Sequence, residues 1–216
     1  VPTDWSDTVI NWKEELHRVP PVFEGYVEPR TLVSHLSAMF RPKAILLADV
    51  GQNQIWSANN FKISEGRFLT TGGMGTMGYS IPAAVGAKFA RPDRDVIVIC
   101  GDGSFQMDLP ELGTMQQYDI PVKMVLFKND RLGMVHEHQY LFYGSNYQMV
   151  DITGGPDFAK LVDAYGIRSG RVSENSKVDD AIKEMMDGRE SYLLIVDVSP
   201  YEPTGNALNE SRMKEA

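Results

Sequence analysis

The sequence is poor in cysteine and contains no long hydrophobic run. Its 216 residues include one cysteine, Cys100, which cannot form a disulfide within the chain and is expected to be an inert, buried thiol. A membrane-spanning helix needs about 20 consecutive apolar residues, whereas the apolar runs here have the length of β-strands. These absences exclude a disulfide-stapled fold and a membrane span, and they favour a cytoplasmic protein.

Positive charge is also scarce. The chain carries 21 Lys and Arg residues against 29 Asp and Glu residues, which gives a formal net charge of −8. An acidic surface repels nucleic acid and anionic lipid, and no basic cluster with interleaved aromatic residues compensates for it. We therefore expect neither nucleic acid nor a membrane as a partner.

One folded domain is predicted, over residues 29–199. A proline-rich lead-in or linker (1–28) precedes it, and a polar, mobile tail (200–216) follows it. The lead-in opens with VPTDWSDTVINW, which lacks the methionine, the basic stretch and the apolar stretch of a signal peptide. It is predicted to be the cut end of a longer chain.

Apolar segments of strand length alternate with segments of helical period, which is typical of parallel βαβ units. The sequence therefore predicts an α/β fold of three layers (α/β/α) around a six-stranded, mostly parallel sheet. The predicted strands cover residues 44–50, 67–71, 95–101, 122–128, 167–172 and 192–198. The predicted helices cover residues 30–40, 53–59, 78–90, 108–118, 156–165 and 177–187. Ligands of such sheets bind at the carboxyl ends of the strands, here the loops after Val50, Thr71, Gly101 and Lys128.

The segment VIVICGDGSFQMDLPEL joins an apolar strand to a Gly-Asp-Gly turn. Gly101 and Gly103 allow the backbone to approach a bulky anion such as a phosphate, but the carboxylate of Asp102 would repel it. A bound Mg²⁺ removes the conflict, because it takes both carboxylate and phosphate oxygens as ligands. Asn129 follows the next strand, and the backbone carbonyl of Arg131 offers a further oxygen. The alternative is a plain tight turn, with Asn129 as a helix cap.

A second glycine-rich loop, TTGGMGTMGYSIPAAVGAKFA, follows the strand at 67–71. It does not match the G-x-G-x-x-G pattern of dinucleotide-binding loops. Its small residues would let a flat ligand approach the backbone, with Met77 beneath the ring. The alternative is Met77 as a filler of the core.

These segments resemble a known enzyme family. GDGSFQMDLPELGTMQQYDIPVKMVLFKND is similar to the GDG…N motif of enzymes that use thiamine diphosphate. DVGQNQIW, GGMGTMGYSIPAAVGAK and NDRLGMV resemble the C-terminal, diphosphate-binding domain of the large catalytic subunits of acetolactate synthase (acetohydroxyacid synthase). The resemblance covers nearly all of residues 28–199, and it implies thiamine diphosphate and Mg²⁺ as cofactors.

The resemblance also implies residue roles. Mg²⁺ would be held by the side chains of Asp102 and Asn129 and by the carbonyl of Arg131. The residues implied in thiamine diphosphate binding are Gly101, Gly103 and Ser104 with Gln52 and Asn53 at the diphosphate, and Gly75, Met77 and Val50 at the aminopyrimidine end.

Three positions depart from the family pattern. Asn53 stands where the family has His, and its amide is expected still to donate a hydrogen bond. Lys128 stands where the family has Asn, next to the metal ligand. His138 replaces Trp in the substrate-access segment, which bears on substrate preference. His136 and His138 with Glu137 could form a zinc site, but a mobile flap over the cleft is the preferred interpretation.

The implied activity is the condensation of two pyruvates, or of pyruvate and 2-oxobutyrate, with loss of CO₂, in branched-chain amino-acid biosynthesis. The family's activating glutamate comes from an N-terminal domain, and neither Glu111 nor Glu137 is expected to replace it, so the chain alone should be inactive. The resemblance further implies a homodimer or tetramer, a regulatory small subunit, and FAD on a middle domain of the full-length protein. The alternatives are another carboligase or decarboxylase, of the pyruvate oxidase or glyoxylate carboligase type, and a non-catalytic diphosphate-binding scaffold.

Overall fold

The computed structural model describes residues 3–15, 22–40 and 42–205. Its strands lie close to the predicted positions: β1 Ile45–Ala48, β2 Arg67–Leu69, β3 Val96–Gly101, β4 Lys123–Lys128, β5 Arg168–Val172 and β6 Tyr192–Asp197. They form one sheet in the order β2-β1-β3-β4-β6-β5, and each strand pairs with its neighbours in parallel. The predicted α/β class is confirmed, with a fully parallel sheet.

The helices cover both faces of this sheet. Their bounds are α1 Asp4–Glu15, α2 Pro29–Met39, α3 Gln52–Asn60, α4 Ser80–Ala90, α5 Asp102–Phe105, α6 Pro110–Gln117, α7 Gly133–Phe142, α8 Phe158–Asp163 and α9 Val178–Met186, with 3₁₀ turns at Gln106–Asp108 and Asn175–Lys177. Within the described residues, no helix is both long and apolar enough to cross a bilayer.

Two apolar clusters, one on each face of the sheet, form the core. Helices α2, α3 and α9 pack on one face, and α4, α6 and α8 pack on the other. In β3, Ile97 and Ile99 belong to the first cluster, whereas Val98 and Cys100 belong to the second. Both faces of the strand are buried, which explains its continuous apolar sequence. Cys100 is buried, as predicted.

Three helices were not predicted. Helix α1 lies inside the expected lead-in, α5 begins at Asp102 within the Gly-Asp-Gly segment, and α7 lies where a flap was expected. The segment of α7 gave no helical signal because the side chain that it buries is that of an acid, Glu137. Hydrophobic periodicity detects a helix only where the buried face is apolar.

The chain continues to pack beyond the predicted domain boundary at 199. Glu202 and Thr204 are 2% and 6% exposed. The guanidinium of Arg30 pairs with the Glu202 carboxylate at 2.6 Å. We name residues 199–205 the C-terminal turn. Residues 206–216, the rest of the predicted mobile tail, lie outside the described part of the chain.

Candidate cofactor site

A cleft of about 380 Å³ opens where β1, β3 and β4 end. These strands are neighbours in the sheet, so their carboxyl ends meet at one edge. All of the residues predicted to bind a cofactor or a metal line this cleft: Val50, Gln52, Asn53, Gly75, Met77, Gly101, Asp102, Gly103, Ser104, Asn129 and Arg131. The fold therefore brings together every predicted position, from four separate segments of the chain.

Asp102 joins the end of β3 to the end of β4. Its Oδ2 accepts hydrogen bonds from the backbone N–H groups of Asn129 (3.1 Å) and Asp130 (2.7 Å), and its Oδ1 accepts from that of Gly103 (2.9 Å). The adjacent Ser104 hydroxyl accepts from the Gly101 N–H at 3.1 Å and tightens the same turn. The Gly-Asp-Gly segment is therefore the junction between β3 and α5, with Gly101 as the helix N-cap, and its acid also reaches the neighbouring strand. The alternative of a plain tight turn with Asn129 as a helix cap is not observed, because α7 begins only at Gly133, with Leu132 as its N-cap.

The Asp102 carboxylate is buried without a cation. It is 3% exposed, and no Lys, Arg or His among the described residues forms an ion pair with it. Burial raises the pKa of Asp102 to about 6, although the N–H donors of Asp130 and Asn129 act in the opposite direction. A divalent cation would compensate this buried negative charge.

The loop after β4 presents Asn129 to the cleft, and its charged side chains form ion pairs with other residues. Oδ1 of Asn129 accepts from the backbone N–H of Arg131 at 3.1 Å. The Arg131 guanidinium binds the Asp151 carboxylate at 2.7 Å and lies over the ring of Tyr201. Lys128 forms an ion pair with Asp130 and does not line the cleft.

The second glycine loop is held to the sheet by Asp49, which sequence reasoning missed. This acid, 1% exposed, follows β1 and accepts hydrogen bonds from Gly78 N (3.0 Å), Ser80 N (2.9 Å) and Ser80 Oγ (2.6 Å). Gly75 and Gly78 have φ values of 63° and 89°, a region that favours glycine. Asp49 thereby fixes the start of α4, and with it the loop that carries Met77.

Met77 reaches from this loop toward the Gly-Asp-Gly turn. A Cβ placed on Gly103 would lie 3.4 Å from the Met77 methyl group. Met77 is only partly buried and belongs to neither core cluster. Its position favours a role in the cleft over that of a core filler.

Asn53 and Gln52 present acceptors to the cleft. The Asn53 amide donates to the carbonyls of Asp49 (2.7 Å) and Ile99 (3.3 Å). That of Gln52 donates to the carbonyl of Glu202 (2.7 Å) and to the carboxylate of Glu137. Asn53 thus donates hydrogen bonds, as expected, but to backbone carbonyls of the protein, and its oxygen is the atom left for a ligand.

The two histidines of α7, His136 and His138, contact different parts of the structure. His136 stacks on Tyr147, with 4.1 Å between ring centroids, and its Nε2 lies 3.1 Å from the Arg131 guanidinium. Burial, and then the charge of Arg131, lower the pKa of His136. His138 packs against Phe142 and lines the cleft. No group of three metal-ligating side chains of the His, Cys, Asp and Glu types occurs in the described part of the chain.

Comparison with known proteins agrees with this geometry. Residues 49–196 match the family described as "Thiamine pyrophosphate enzyme, C-terminal TPP binding domain"; thiamine pyrophosphate is thiamine diphosphate. The chain is 45% identical over 159 residues to a probable acetolactate synthase large subunit of Methanocaldococcus jannaschii, covering 73% of this chain and 27% of that protein. It is 40% identical over 172 residues to the acetolactate synthase isozyme 2 large subunit of Escherichia coli, covering 79% and 31%.

A solved structure shows the same architecture. The thiamine diphosphate-dependent 4-hydroxybenzoylformate decarboxylase of Rhodococcus jostii superposes with a TM-score of 0.76 at 25% sequence identity, over 84% of this chain and 34% of that chain. The present chain spans about a third of the length of the curated relatives that it matches.

Proposed function

The chain belongs to the thiamine pyrophosphate enzyme family and corresponds to the C-terminal TPP-binding domain of these enzymes. From this premise we propose that it is the cofactor-binding part of an acetolactate synthase large subunit. The identities of 36–45% to acetolactate synthase large subunits support this choice. We propose that the domain begins at residue 29 and extends beyond the end expected from the sequence, residue 199, to include the C-terminal turn.

One observation carries the proposal. Asp102 is a buried carboxylate without a cationic partner in the described residues, and it lies against the loop that presents Asn129. Carboxylate, amide and carbonyl oxygens are the donors that Mg²⁺ prefers. The residues present therefore fit this ion, with Asp102, Asn129 and the Arg131 carbonyl as its protein ligands. The ion would in turn bind the diphosphate of the cofactor.

Thiamine diphosphate, when bound, supplies the nucleophilic carbon and the electron sink for splitting CO₂ from a 2-keto acid and joining the remainder to a second keto acid. The chain's own residues bind and orient it. Gly101, Gly103 and Ser104 would hold the diphosphate. Gly75, Met77 and Val50 would hold the aminopyrimidine end. Gln52 and Asn53 would line the cleft between the two ends of the cofactor, where their side-chain oxygens can accept hydrogen bonds.

The proposed substrates are pyruvate and 2-oxobutyrate, and the product is an acetohydroxy acid of branched-chain amino-acid biosynthesis. Because the chain matches only about a third of its relatives, the activating glutamate is proposed to come from another domain of a longer protein. Glu137 does not replace it, since its carboxylate binds Thr204 and Gln52 rather than lining the cleft. A cytoplasmic location, a regulatory small subunit and FAD on a middle domain belong to the same proposal.

Calorimetric titration of the chain with thiamine diphosphate tests the proposal. We expect binding with Mg²⁺, and at least tenfold weaker binding with EDTA, because without the ion the diphosphate would face the Asp102 carboxylate directly. Inorganic pyrophosphate serves as the control ligand: it should show the same Mg²⁺ dependence and a lower affinity, because it lacks the ring held at Met77. Binding that is equally tight with and without Mg²⁺ would contradict the proposed metal site.

A second candidate function, that of a thiamine diphosphate-dependent decarboxylase, is favoured by the structural likeness to such an enzyme. Its sequence identity of 25% is lower than that of the acetolactate synthase relatives. Product analysis of the chain joined to the N-terminal domains of such a relative separates the two: acetolactate from pyruvate supports the first function, and acetaldehyde alone supports the second.

Self-association is the next expected property. Near the mouth of the cleft, Met74, Phe142 and Tyr143 are 91%, 58% and 63% exposed, and exposed apolar groups of this kind favour association. We propose that these surfaces (69–80 and 132–145) are covered in a homodimer or tetramer. Sedimentation velocity should show concentration-dependent dimers of the parent and a monomer for Phe142→Glu, with Phe89→Glu, on α4, as the control. A parent that stays monomeric at high concentration would refute this.

A further inference from the structure

Helix α7 lines the cleft without packing into the apolar core. Met134, Val135 and His138 of this helix line the cleft, yet none of its described side chains belongs to either apolar cluster. Helix α3, which also lines the cleft, is anchored in the core by the buried ring of Trp56. The position of α7 must therefore be set by contacts of another kind.

The buried contact of α7 is polar and is made by Glu137. Among the side chains of α7 that the structure describes, only that of Glu137 is buried. Its Oε2 accepts from Nε2 of Gln52, on α3, at 3.1 Å. Its Oε1 accepts from the backbone N–H and the hydroxyl of Thr204, at 3.2 Å and 2.8 Å. One carboxylate thus ties α7 both to α3 and to the C-terminal turn.

Both partners of Glu137 are themselves held in place. The Gln52 amide also donates to the Glu202 carbonyl at 2.7 Å. In the same turn the Pro203 carbonyl accepts from the indole N–H of Trp56 at 3.1 Å. The donors that face Glu137 are therefore attached to α3 and, through Trp56, to the core of the domain.

Other contacts of α7 do not provide this attachment. His136 stacks on Tyr147, and the Gln139 side chain exchanges two hydrogen bonds with the backbone of Gln148. Both partners lie in the segment that follows α7 in the chain. These contacts join the helix to its own continuation, whereas those of Glu137 join it to α3 and to the C-terminal turn.

We propose that Glu137 is a positioning residue that anchors the α7 wall of the cleft to α3 and to the C-terminal turn. It acts through the side chains that α7 presents to the cleft. Those of Met134 and Val135 are apolar, so they suit the rings of thiamine diphosphate and not its diphosphate, which requires polar partners. The inference rests on the proposed function, since it names which part of that cofactor α7 would contact.

Hydrogen–deuterium exchange of the 216-residue chain, read by mass spectrometry, tests the anchor. Glu137→Gln keeps the size of the side chain but replaces one acceptor oxygen by an NH₂ group, which faces a donor. We expect about tenfold faster exchange in peptides from residues 133–142. Thr204→Val removes one donor to Glu137, and about threefold faster exchange is expected there. Peptides from α9, which the apolar core holds, should exchange as in the parent.

Calorimetric titration in Mg²⁺ tests the positioning role. We expect thiamine diphosphate to bind about tenfold more weakly to Glu137→Gln and about threefold more weakly to Thr204→Val. Inorganic pyrophosphate should bind both variants with the parental Kd, because it has no ring for α7 to contact. The matched control is Glu65→Gln, the same change at an exposed acid before β2, at the amino end of the sheet. It should keep the parental exchange and both parental affinities.

The outcomes separate the inference from its premise. If the parent binds thiamine diphosphate and both variants keep the parental exchange in residues 133–142, the anchor is wrong and the proposed function stands. Faster exchange with a parental Kd for thiamine diphosphate overturns the positioning role. An equal loss of pyrophosphate affinity also overturns it, because it would show general damage to the site. If Glu137→Gln does not fold, Thr204→Val decides alone. A parent that does not bind thiamine diphosphate contradicts the proposed function, and the inference falls with it.

Discussion

Replacing Asp102 by alanine is expected to abolish Mg²⁺-dependent binding of thiamine diphosphate. The substitution removes the only full negative charge among the proposed metal ligands, and it leaves the N–H groups of Asn129 and Asp130 without their acceptor. Loss of a buried charge partner costs about 3–5 kcal/mol, which corresponds to at least a 100-fold higher Kd. The change in Kd is measured by calorimetric titration of parent and variant with thiamine diphosphate, once in Mg²⁺ and once in EDTA.

Two further variants separate charge from shape. Asp102→Asn retains an oxygen that can accept from the loop after β4 but carries no charge, so its affinity should be intermediate. Asp163→Ala removes an exposed acid at the end of α8 and should bind as the parent does. If Asp102→Ala binds thiamine diphosphate with the parental Kd and the parental dependence on Mg²⁺, the assignment of the metal site is wrong.

The location of this site was predictable because its determinants are local in sequence. A strand buried on both faces is a continuous apolar run, as in VIVIC, and parallel strands end at a common edge. Asp102 and Asn129 each follow such a run directly. Their approach across β3 and β4 thus follows from the strand pattern once the two strands are neighbours, as they are.

The polar groups that support the site were not predictable in the same way. Whether Glu137 is buried depends on Thr204, 67 residues later in the chain. Whether Asp49 anchors a loop depends on Gly78 and Ser80. The composition of a segment does not reveal such distant partners, so Glu137 was taken for part of a flap and Asp49 was passed over.

The direction of an amide is a further property that sequence does not give. Asn53 can donate or accept, and a comparison of residue types favoured donation. The structure places two backbone carbonyls at its nitrogen, which leaves only the oxygen for a ligand. Chemical type therefore predicted that Asn53 belongs to the site, and only the fold determined what it offers there.

Replacing Arg30 by methionine is expected to lower the free energy of unfolding by about 3–5 kcal/mol at pH 8. Arg30 is the cation of a buried cluster in which its guanidinium pairs with Glu28 at 2.5 Å and with Glu202 at 2.6 Å. Both acids are nearly inaccessible to solvent, at 6% and 2% exposed. Methionine fills similar space but leaves these carboxylates without their partner. Urea denaturation followed by circular dichroism measures the loss.

The loss should depend on pH, through Glu202. Burial raises the pKa of Glu202 to about 7 from the ordinary value of 4.5, although Arg30 acts to lower it. Between these values the folded protein keeps a proton that the unfolded chain releases, so the stability of the parent falls as the pH rises through this window. Without Arg30 the folded pKa rises further and the window extends upward. The difference between parent and variant should therefore be larger at pH 8 than at pH 5.5.

Glu202→Gln is the control for this titration, because it keeps the size of the side chain and an acceptor for Arg30 but carries no titrating proton. Its stability should change less with pH between about 4.5 and 7 than that of the parent. An Arg30→Met variant that loses the same free energy at pH 5.5 and pH 8 would show that Arg30 acts through packing alone. A variant as stable as the parent at both pH values would mean that Arg30 does not secure the C-terminal turn to the domain.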